Sequence, residues 1–118
     1  MRNMLKSKIH RATVTGADLS YEGSITVDPE LMVAADLLDH EMVHVFNINN
    51  GARFETYVIE GEPGSGDMVL NGAAARMVAV GDKIIVISTV MLDDEAARAF
   101  TPRLVWVDDD NQISRRSP

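Results

Sequence analysis

The segment from Arg53 to Tyr57 carries three side chains that are common in active sites. Arg53 and Tyr57 lie an even number of positions apart, so in a strand they would emerge on one face, while Thr56 would project from the other. A guanidinium holds a carboxylate through two parallel hydrogen bonds, and a phenol, whose ordinary pKa is about 10, can donate a proton at neutral pH. The pattern fits binding of an acidic ligand and proton transfer to it, although a strand tyrosine is more often a packing residue.

A second group of polar side chains lies near the N-terminus. Lys6, Lys8 and His10 alternate with other residues in segment 6–14, which predicts a strand that carries all three on one face. Such a row is either an ordinary solvated face or a site for a small acidic ligand. The sequence leaves both interpretations open.

Composition narrows the classes of protein and of site. The 118 residues fit one domain with one hydrophobic core. The absence of cysteine excludes disulfides and thiol nucleophiles, and three histidines (His10, His40 and His44) are too few for a persuasive zinc cluster. The net charge of −7 would repel nucleic acid. No apolar run approaches the roughly 20 residues of a membrane span and no signal peptide is recognisable, so we expect a cytoplasmic protein.

The elements that position these residues begin with strands and one helix. Segments 42–48 and 53–59 are rich in β-branched and aromatic residues and flank Asn49, Asn50 and Gly51, which is a strong hairpin signal. Many short strands of this kind around one or two helices predict a mainly β protein that closes into a small barrel. Further strands are expected at 24–27, 68–70, 83–88 (buried on both faces) and 103–107, a short acidic helix at 93–100, a turn at 15–22 and a loose tail at 108–118.

A helix is expected directly after the strand 24–27. Asp28 can cap it and Pro29 suits its first turn. Apolar residues then recur at the spacing that lines one helical face, and Asp39 and His40 would end the helix. The predicted apolar face consists of Leu31, Ala34, Ala35 and Leu38.

Three separated blocks of the sequence resemble the bacterial aspartate 1-decarboxylases. They are MLKSKIHRATVTGADLSYEGS at 4–24, NNGARFETYVIEGEPGSG at 49–66 and NGAAAR at 71–76. Their order and spacing match the family, and the resemblance spans nearly the whole chain. It implies a six-stranded double-psi β-barrel with one or two short helices, assembled as a homotetramer with active sites between subunits.

The resemblance also implies that the chain is a self-cleaving precursor. The family cuts itself between a glycine and a serine, which here are Gly23 and Ser24, so a single domain of residues 1–118 would become chains 1–23 and 24–118. Ser24 would then become a pyruvoyl group. We expect backbone strain at Gly23, because glycine adopts angles that are closed to other residues. A second such pair, Gly64 and Ser65, lies in a segment rich in proline and glycine that predicts a flexible connector.

The implied activity is conversion of L-aspartate to β-alanine and CO₂, which supplies pantothenate and coenzyme A synthesis. Loss of the α-carboxylate leaves electron density on carbon, which ordinary side chains cannot accept. The pyruvoyl group would accept it through a Schiff base with the substrate amine, so no external cofactor or metal is expected. Some relatives need a maturation partner for cleavage, and the residues do not decide whether this chain does.

The family assigns roles to residues that match its motifs here. Tyr57 would donate the proton, and Thr56 would assist cleavage by hydrogen bonding at the carbonyl of Gly23. The remaining residues would bind the substrate or line the site; they are Arg53, Lys8, His10, Asn71, Gly72, Ala73 and Ala74.

Two alternatives to this enzyme are open. The chain could be a non-enzymatic barrel, either a relative of the dimeric barrel-type transcription regulators or a decarboxylase sequence that folds without cleaving. It could also decarboxylate another amino acid, since one methylene between aspartate and glutamate is commonly worth only about 1 to 3 kcal/mol of discrimination.

Overall fold

A computed structural model describes all residues of the chain, Met1–Pro118, as a mainly β protein with two short helices. Nine strands form one mixed sheet in the order β2-β6-β3-β5-β4-β7-β1-β8-β9. The strands are β1 (Arg2–Thr13), β2 (Gly16–Asp18), β3 (Ser24–Val27), β4 (Met42–Asn47), β5 (Arg53–Glu60), β6 (Met68–Asn71), β7 (Lys83–Leu92), β8 (Arg103–Val107) and β9 (Ile113–Arg116). The helices are α1 (Pro29–Ala35) and α2 (Asp94–Ala99), with a 3₁₀ helix at Gly72–Met77.

The sheet differs from the predicted closed barrel of six strands. Its order is linear, so β2 and β9 are edge strands. β2 lies in the predicted turn 15–22 and β9 in the predicted tail 108–118. Both strands are held by backbone hydrogen bonds, which form whatever the polarity of the side chains. For this reason the residue composition of β2 and β9 did not indicate strands.

One face of the sheet is the core and the other lies outside. The pleat alternates along each strand, so Ile9, Val45, Val58 and Val86 are each 0 to 1% exposed on the inner face. The core cluster contains 19 buried residues. The strands of the predicted hairpin, β4 and β5, pair in antiparallel register as expected.

The outer face changes the interpretation of β7. The prediction that segment 83–88 is buried on both faces is wrong, because only alternate residues such as Ile84 and Val86 are buried. Ile85 and Ile87 are half-buried on the outer face, which no other element of this chain covers completely. The unbroken apolar run therefore marks a strand with one core face and one exposed apolar face.

Helix α1 starts where predicted and ends early. The Asp28 carboxylate accepts hydrogen bonds from the backbone N–H groups of Glu30, Gly64 and Gly66, which joins the helix to the glycine-rich loop. The expected end at Asp39 and His40 is wrong, because Asp36 adopts a left-handed conformation (φ 54°) directly after Ala35. Leu38, assigned to the buried face, is 70% exposed for the same reason.

The C-terminal segment is ordered by one asparagine. Asn111 is 1% exposed, donates hydrogen bonds to the carbonyl oxygens of Thr13 and Gly66, and accepts one from the Thr13 N–H. The prediction of a loose tail is therefore wrong. None of the helices has the length and the apolar character that a membrane span requires.

Candidate active site

Ser24 begins β3 and is completely buried, with 0% of its surface exposed. Its neighbour on one side is Asn71 of β6. On the other side the parallel register of β3 and β5 places Ile25 beside Val58, so Ser24 lies beside Tyr57 at the same end of the strand pair. Three residues that the sequence predicted as site residues therefore meet across three adjacent strands.

Hydrogen bonds hold the Ser24 hydroxyl at the predicted cleavage point. Its Oγ donates to the carbonyl oxygen of Glu22 at 3.0 Å. The Asn71 Nδ2 donates to this same Oγ at 3.0 Å and to the hydroxyl of Thr26 at 3.0 Å. Asn71 is only 3% exposed, so its amide is a fixed donor pointing at Ser24.

Gly72, at the start of the 3₁₀ helix, supports the segment before Ser24. Its φ is +65°, and a Cβ atom at this position would lie 2.7 Å from both the Cα and the N of Gly23. Gly23 itself is not among the residues with positive φ, and a Cβ there would meet nothing within 4 Å. The strain expected at Gly23 is thus absent from its φ, and the glycine requirement lies at Gly72 instead.

Two clefts flank the Gly23–Ser24 bond. One has a volume of about 510 Å³ and is lined by Tyr21, Glu22, Ser24, His40, Met42, Tyr57 and Ile59. The other has a volume of about 500 Å³ and is lined by Gly23, Met42, Phe54, Glu55, Thr56, Tyr57, Ala73, Ala74 and Met77. Tyr57 and Met42 line both.

A further cavity of about 550 Å³ lies away from Ser24, between α1 and β9. Its buried carboxylate, Asp28, already accepts hydrogen bonds from three backbone N–H groups.

Thr56 and Tyr57 both reach the cleavage point although they project from opposite faces of β5. Thr56 is 7% exposed and lies on the inner side with Val58. The register of β5 with β4 is regular, so no bulge brings the two side chains to one face. Gly23 lies directly before β3, and both Thr56 and Tyr57 line the same cleft as Gly23.

Lys8, His10 and Arg53 are not brought to Ser24 within one chain. β1 is separated from β5 by β7 and β4, which is roughly 14 Å at ordinary strand spacing. Arg53 stacks over the Phe46 ring, with its guanidinium carbon 4.3 Å from the ring centroid. Neither Lys8 nor Arg53 belongs to any ion pair of the chain.

His10 and Lys6 have different surroundings within the predicted row. His10 has a buried Nδ1 without a hydrogen-bond partner, and burial, followed by the charges of Lys8 and Arg11, lowers its pKa below 6.5. A bulge between Leu5 and Ser7 lies at Lys6, whose ammonium bonds to Glu41 and to the backbone carbonyl of Asp36. Burial alternates from Lys6 to His10, as the predicted row requires, but Lys6 is paired with Glu41 within the chain whereas Lys8 has no ion-pair partner.

Glu41 is the centre of this contact. Its Oε2 lies 2.7 Å from the Lys6 Nζ and accepts a short hydrogen bond from the Ser88 hydroxyl. Burial raises the pKa of Glu41, but the hydrogen bonds from Lys6, Ser88 and the Leu38 N–H outweigh burial and hold it below 4.5. This cluster ties β1 and β7 to the chain just after α1.

Sequence reasoning missed His40 as a site residue. Its ring centroid lies 6.1 Å from that of Tyr57 at an interplanar angle of 58°, and it lines the cleft that contains Ser24. The sequence predicts His40 at the end of α1, whereas α1 ends at Ala35 and His40 lines the cleft. No local pattern indicates this position.

The fold has a counterpart among solved structures. The crystal structure of the rationally designed mkDPBB_sym_86 protein matches with a TM-score of 0.50 at 15% identity, over 70% of this chain and 95% of the designed one. The likeness supports a mainly β fold of the double-psi β-barrel type.

Sequence comparison identifies the family. The profile described as Aspartate decarboxylase matches residues 1–114, and the chain belongs to this family. It is 61% identical over 110 residues to the aspartate 1-decarboxylase of Syntrophotalea carbinolica, covering 93% of this chain and 84% of the relative. It is 59% identical over 111 residues to that of Thermoanaerobacter pseudethanolicus, covering 94% and 95%, and 60% identical over 112 residues to that of Clostridium acetobutylicum, covering 95% and 88%. Family membership favours the enzyme over the transcription-regulator alternative.

Proposed function

We propose that this chain cuts itself between Gly23 and Ser24 and then converts L-aspartate to β-alanine and CO₂ for pantothenate and coenzyme A synthesis. Membership of the aspartate decarboxylase family supports the reaction. The observation that carries the assignment is the buried Ser24, held by Asn71 on one side and flanked by Tyr57 on the other. An ordinary strand serine does not require a buried amide donor and an adjacent phenol.

In the proposed cleavage, the Ser24 Oγ attacks the carbonyl carbon of Gly23 and replaces the peptide bond with an ester. Thr56, which lines the cleft with Gly23, would donate a hydrogen bond to the carbonyl oxygen as negative charge develops there. The ester then eliminates, leaving a carboxylate on Gly23, and hydrolysis of the new N-terminus releases ammonia. Chain 1–23 would stay bound, because the 12 residues of β1 lie between β7 and β8.

The residues around Ser24 fit a pyruvoyl group at this position. The Asn71 amide is a buried donor aimed at the Ser24 side chain, and Gly72 leaves space that a Cβ atom would fill. When formed, the group would supply the electron sink that decarboxylation needs. Tyr57 is the phenol placed to deliver a proton in this cleft.

A second copy of the chain would complete the substrate site. L-aspartate carries two carboxylates, but the cleft that contains Ser24 has no lysine or arginine in its lining. Lys8 and Arg53 lie on the outer face without carboxylate partners, where a neighbouring subunit could present them. We therefore place the active site between subunits of a homotetramer, with His10 beside Lys8 and a six-stranded double-psi core in each subunit.

The test is an assay of the cleaved protein with L-aspartate, in which β-alanine and CO₂ are quantified. L-glutamate and L-alanine serve as comparison substrates. We expect β-alanine and CO₂ in equal amounts, faster turnover of aspartate than of glutamate, and none of alanine. Cleaved protein that turns over none of the three would contradict the proposal.

A further inference from the structure

His40 is the one imidazole that lines the Ser24 cleft, and imidazole is the side chain that most often relays protons in proteins. Its ring lies beside the ring of Tyr57, while its own side chain is 74% exposed. It can therefore exchange protons with water on one side and face the phenol on the other.

The backbone holds His40 in place at an energetic cost. Its φ is +72°, a region that disfavours most residues but is several-fold enriched in Asn, Asp and His. The His40 N–H donates to the Val58 carbonyl at 2.7 Å, and the Val58 N–H donates to the Glu41 carbonyl at 3.0 Å. These bonds attach the turn to β5 directly beside Tyr57.

Each decarboxylation of a carboxylate consumes one proton. If Tyr57 gives its hydroxyl proton to the reacting carbon, the phenolate that remains must regain a proton before the next turnover. We infer that His40 returns this proton: its imidazolium N–H gives a proton to the Tyr57 oxygen, directly or through a water molecule, and the neutral imidazole then takes one from solvent. This inference rests on the proposed decarboxylase function.

Carboxylates around His40 suit this role. The Asp39 Oδ2 lies 3.4 Å from the His40 Nε2, and its Oδ1 accepts the Glu60 N–H at 3.2 Å. Glu22 and Tyr21 line the same cleft. Glu41 follows in sequence, but its carboxylate is occupied by Lys6 and Ser88. Asp39 is thus the carboxylate in contact with the His40 ring, and Glu22 lines the same cleft.

Carbon-13 NMR of tyrosine-labelled protein tests the coupling independently of activity. The chain has two tyrosines, so Tyr21→Phe identifies the ring signal of Tyr57. We expect this signal to show an inflection between about pH 5 and 8, where imidazoles titrate. The inflection should vanish in His40→Asn, which tolerates the left-handed backbone, and persist in His44→Asn, which removes an imidazole paired with Glu55 outside the cleft. A Tyr57 signal without this inflection would overturn the inference.

Steady-state kinetics of the same variants test the role in turnover. We expect His40→Asn to cleave normally and keep its KM, while kcat falls roughly 10- to 100-fold, at or below the low end of proton-transfer effects. Its kcat should lose the decline with rising pH that we expect in the unchanged chain, and added free imidazole should restore turnover. An unaltered kcat and pH profile in His40→Asn would overturn the inference about His40 but not the proposed function. If the chain without substitutions cleaves but yields no β-alanine, the proposed function itself is overturned.

Discussion

The end of β3 and the outer face of β1, β4 and β5 differ in how complete they are within one chain. At the end of β3, Ser24 is buried, and Asn71 donates a hydrogen bond to its hydroxyl. On the outer face, Lys8 and Arg53 lie on strands separated by two others and have no ion-pair partners. At the end of β3, the Ser24 hydroxyl is hydrogen bonded within the chain. On the outer face, Lys8 and Arg53 have no carboxylate partner within the chain.

The difference separates two requirements of the proposed enzyme. Cleavage needs groups close to the Gly23–Ser24 bond, and one chain places Asn71, Thr56 and Tyr57 around it. Binding of a dicarboxylate needs cations, and the cleft in one chain lacks lysine and arginine. We therefore expect substitutions at Ser24 or Gly72 to affect cleavage, and substitution of Arg53 on the outer face to affect substrate binding.

The largest effect is expected for Ser24→Ala. Removal of the hydroxyl eliminates the nucleophile, so the chain should remain intact and produce no β-alanine. Ser65→Ala is the matched control, because Ser65 follows Gly64 in the second Gly-Ser pair and its hydroxyl only accepts a hydrogen bond from the Asp67 N–H. Denaturing gel electrophoresis distinguishes the two variants; cleavage of Ser24→Ala would refute the assigned bond.

Arg53→Gln should leave cleavage intact and impair substrate binding. Loss of one charge-assisted contact of about 1.5 to 3 kcal/mol corresponds to a rise in KM of about 10- to 150-fold. Arg115→Gln is the control, since Arg115 stacks on Trp106 at 3.9 Å as Arg53 stacks on Phe46. Co-expressed Arg53→Gln and Ser24→Ala chains should regain sites with the original KM, because each supplies what the other lacks. Failure of this complementation would place the site within one subunit.

Gly72→Ala should slow cleavage while the chain still folds. The new Cβ would lie 2.7 Å from backbone atoms of Gly23, and displacement of that segment at a cost of about 1 to 3 kcal/mol predicts cleavage roughly 5 to 150 times slower. Gly51→Ala carries the same backbone penalty at φ +76° but meets nothing within 4 Å. A time course of fragment appearance compares them, and equal rates would show that Gly72 does not support the cleavage segment.

The smallest effect concerns the cluster of Lys6, Glu41 and Ser88, which ties β1 and β7 to the chain just after α1. Because the folded pKa of Glu41 lies below its ordinary 4.5, its stabilisation is complete above that value and is lost as pH falls through the folded pKa. Glu41→Gln should lower the free energy of unfolding by about 1 to 3 kcal/mol at pH 7 and weaken the acid dependence. Urea unfolding at several pH values measures the free energy of unfolding, and Glu95→Gln, at an exposed position, is the control. If the free energy of unfolding depends on acid equally in both variants, the Glu41 cluster does not contribute to stability.

Sequence patterns predicted the parts of the fold that depend on local chemistry. The Asn49-Asn50-Gly51 hairpin, the strands at 24–27 and 103–107 and the Asp28 cap all match the structure. Errors arose where the residue types carry little signal. The strand β9 is polar, so composition does not distinguish it from a loop, and Asp36 is a non-glycine residue in a left-handed conformation that such residues seldom adopt.

The residues of the candidate site were likewise predicted only in part. Motif resemblance named Ser24, Tyr57 and Asn71, which the structure places on adjacent strands. It did not name His40, because that residue reaches the cleft through an early helix end and a hydrogen bond to Val58. It also could not show that Gly72 contacts Gly23, since the two residues are distant in sequence.

The most direct test of cleavage at Ser24 is the intact mass of the purified protein under denaturing conditions, before and after warm incubation. We predict two fragments, residues 1–23 and 24–118, with the larger one lighter by one ammonia than a chain that begins with serine. A single full-length mass, unchanged by incubation or by a bacterial extract, would contradict the account, because Ser24 would then never become the reactive group.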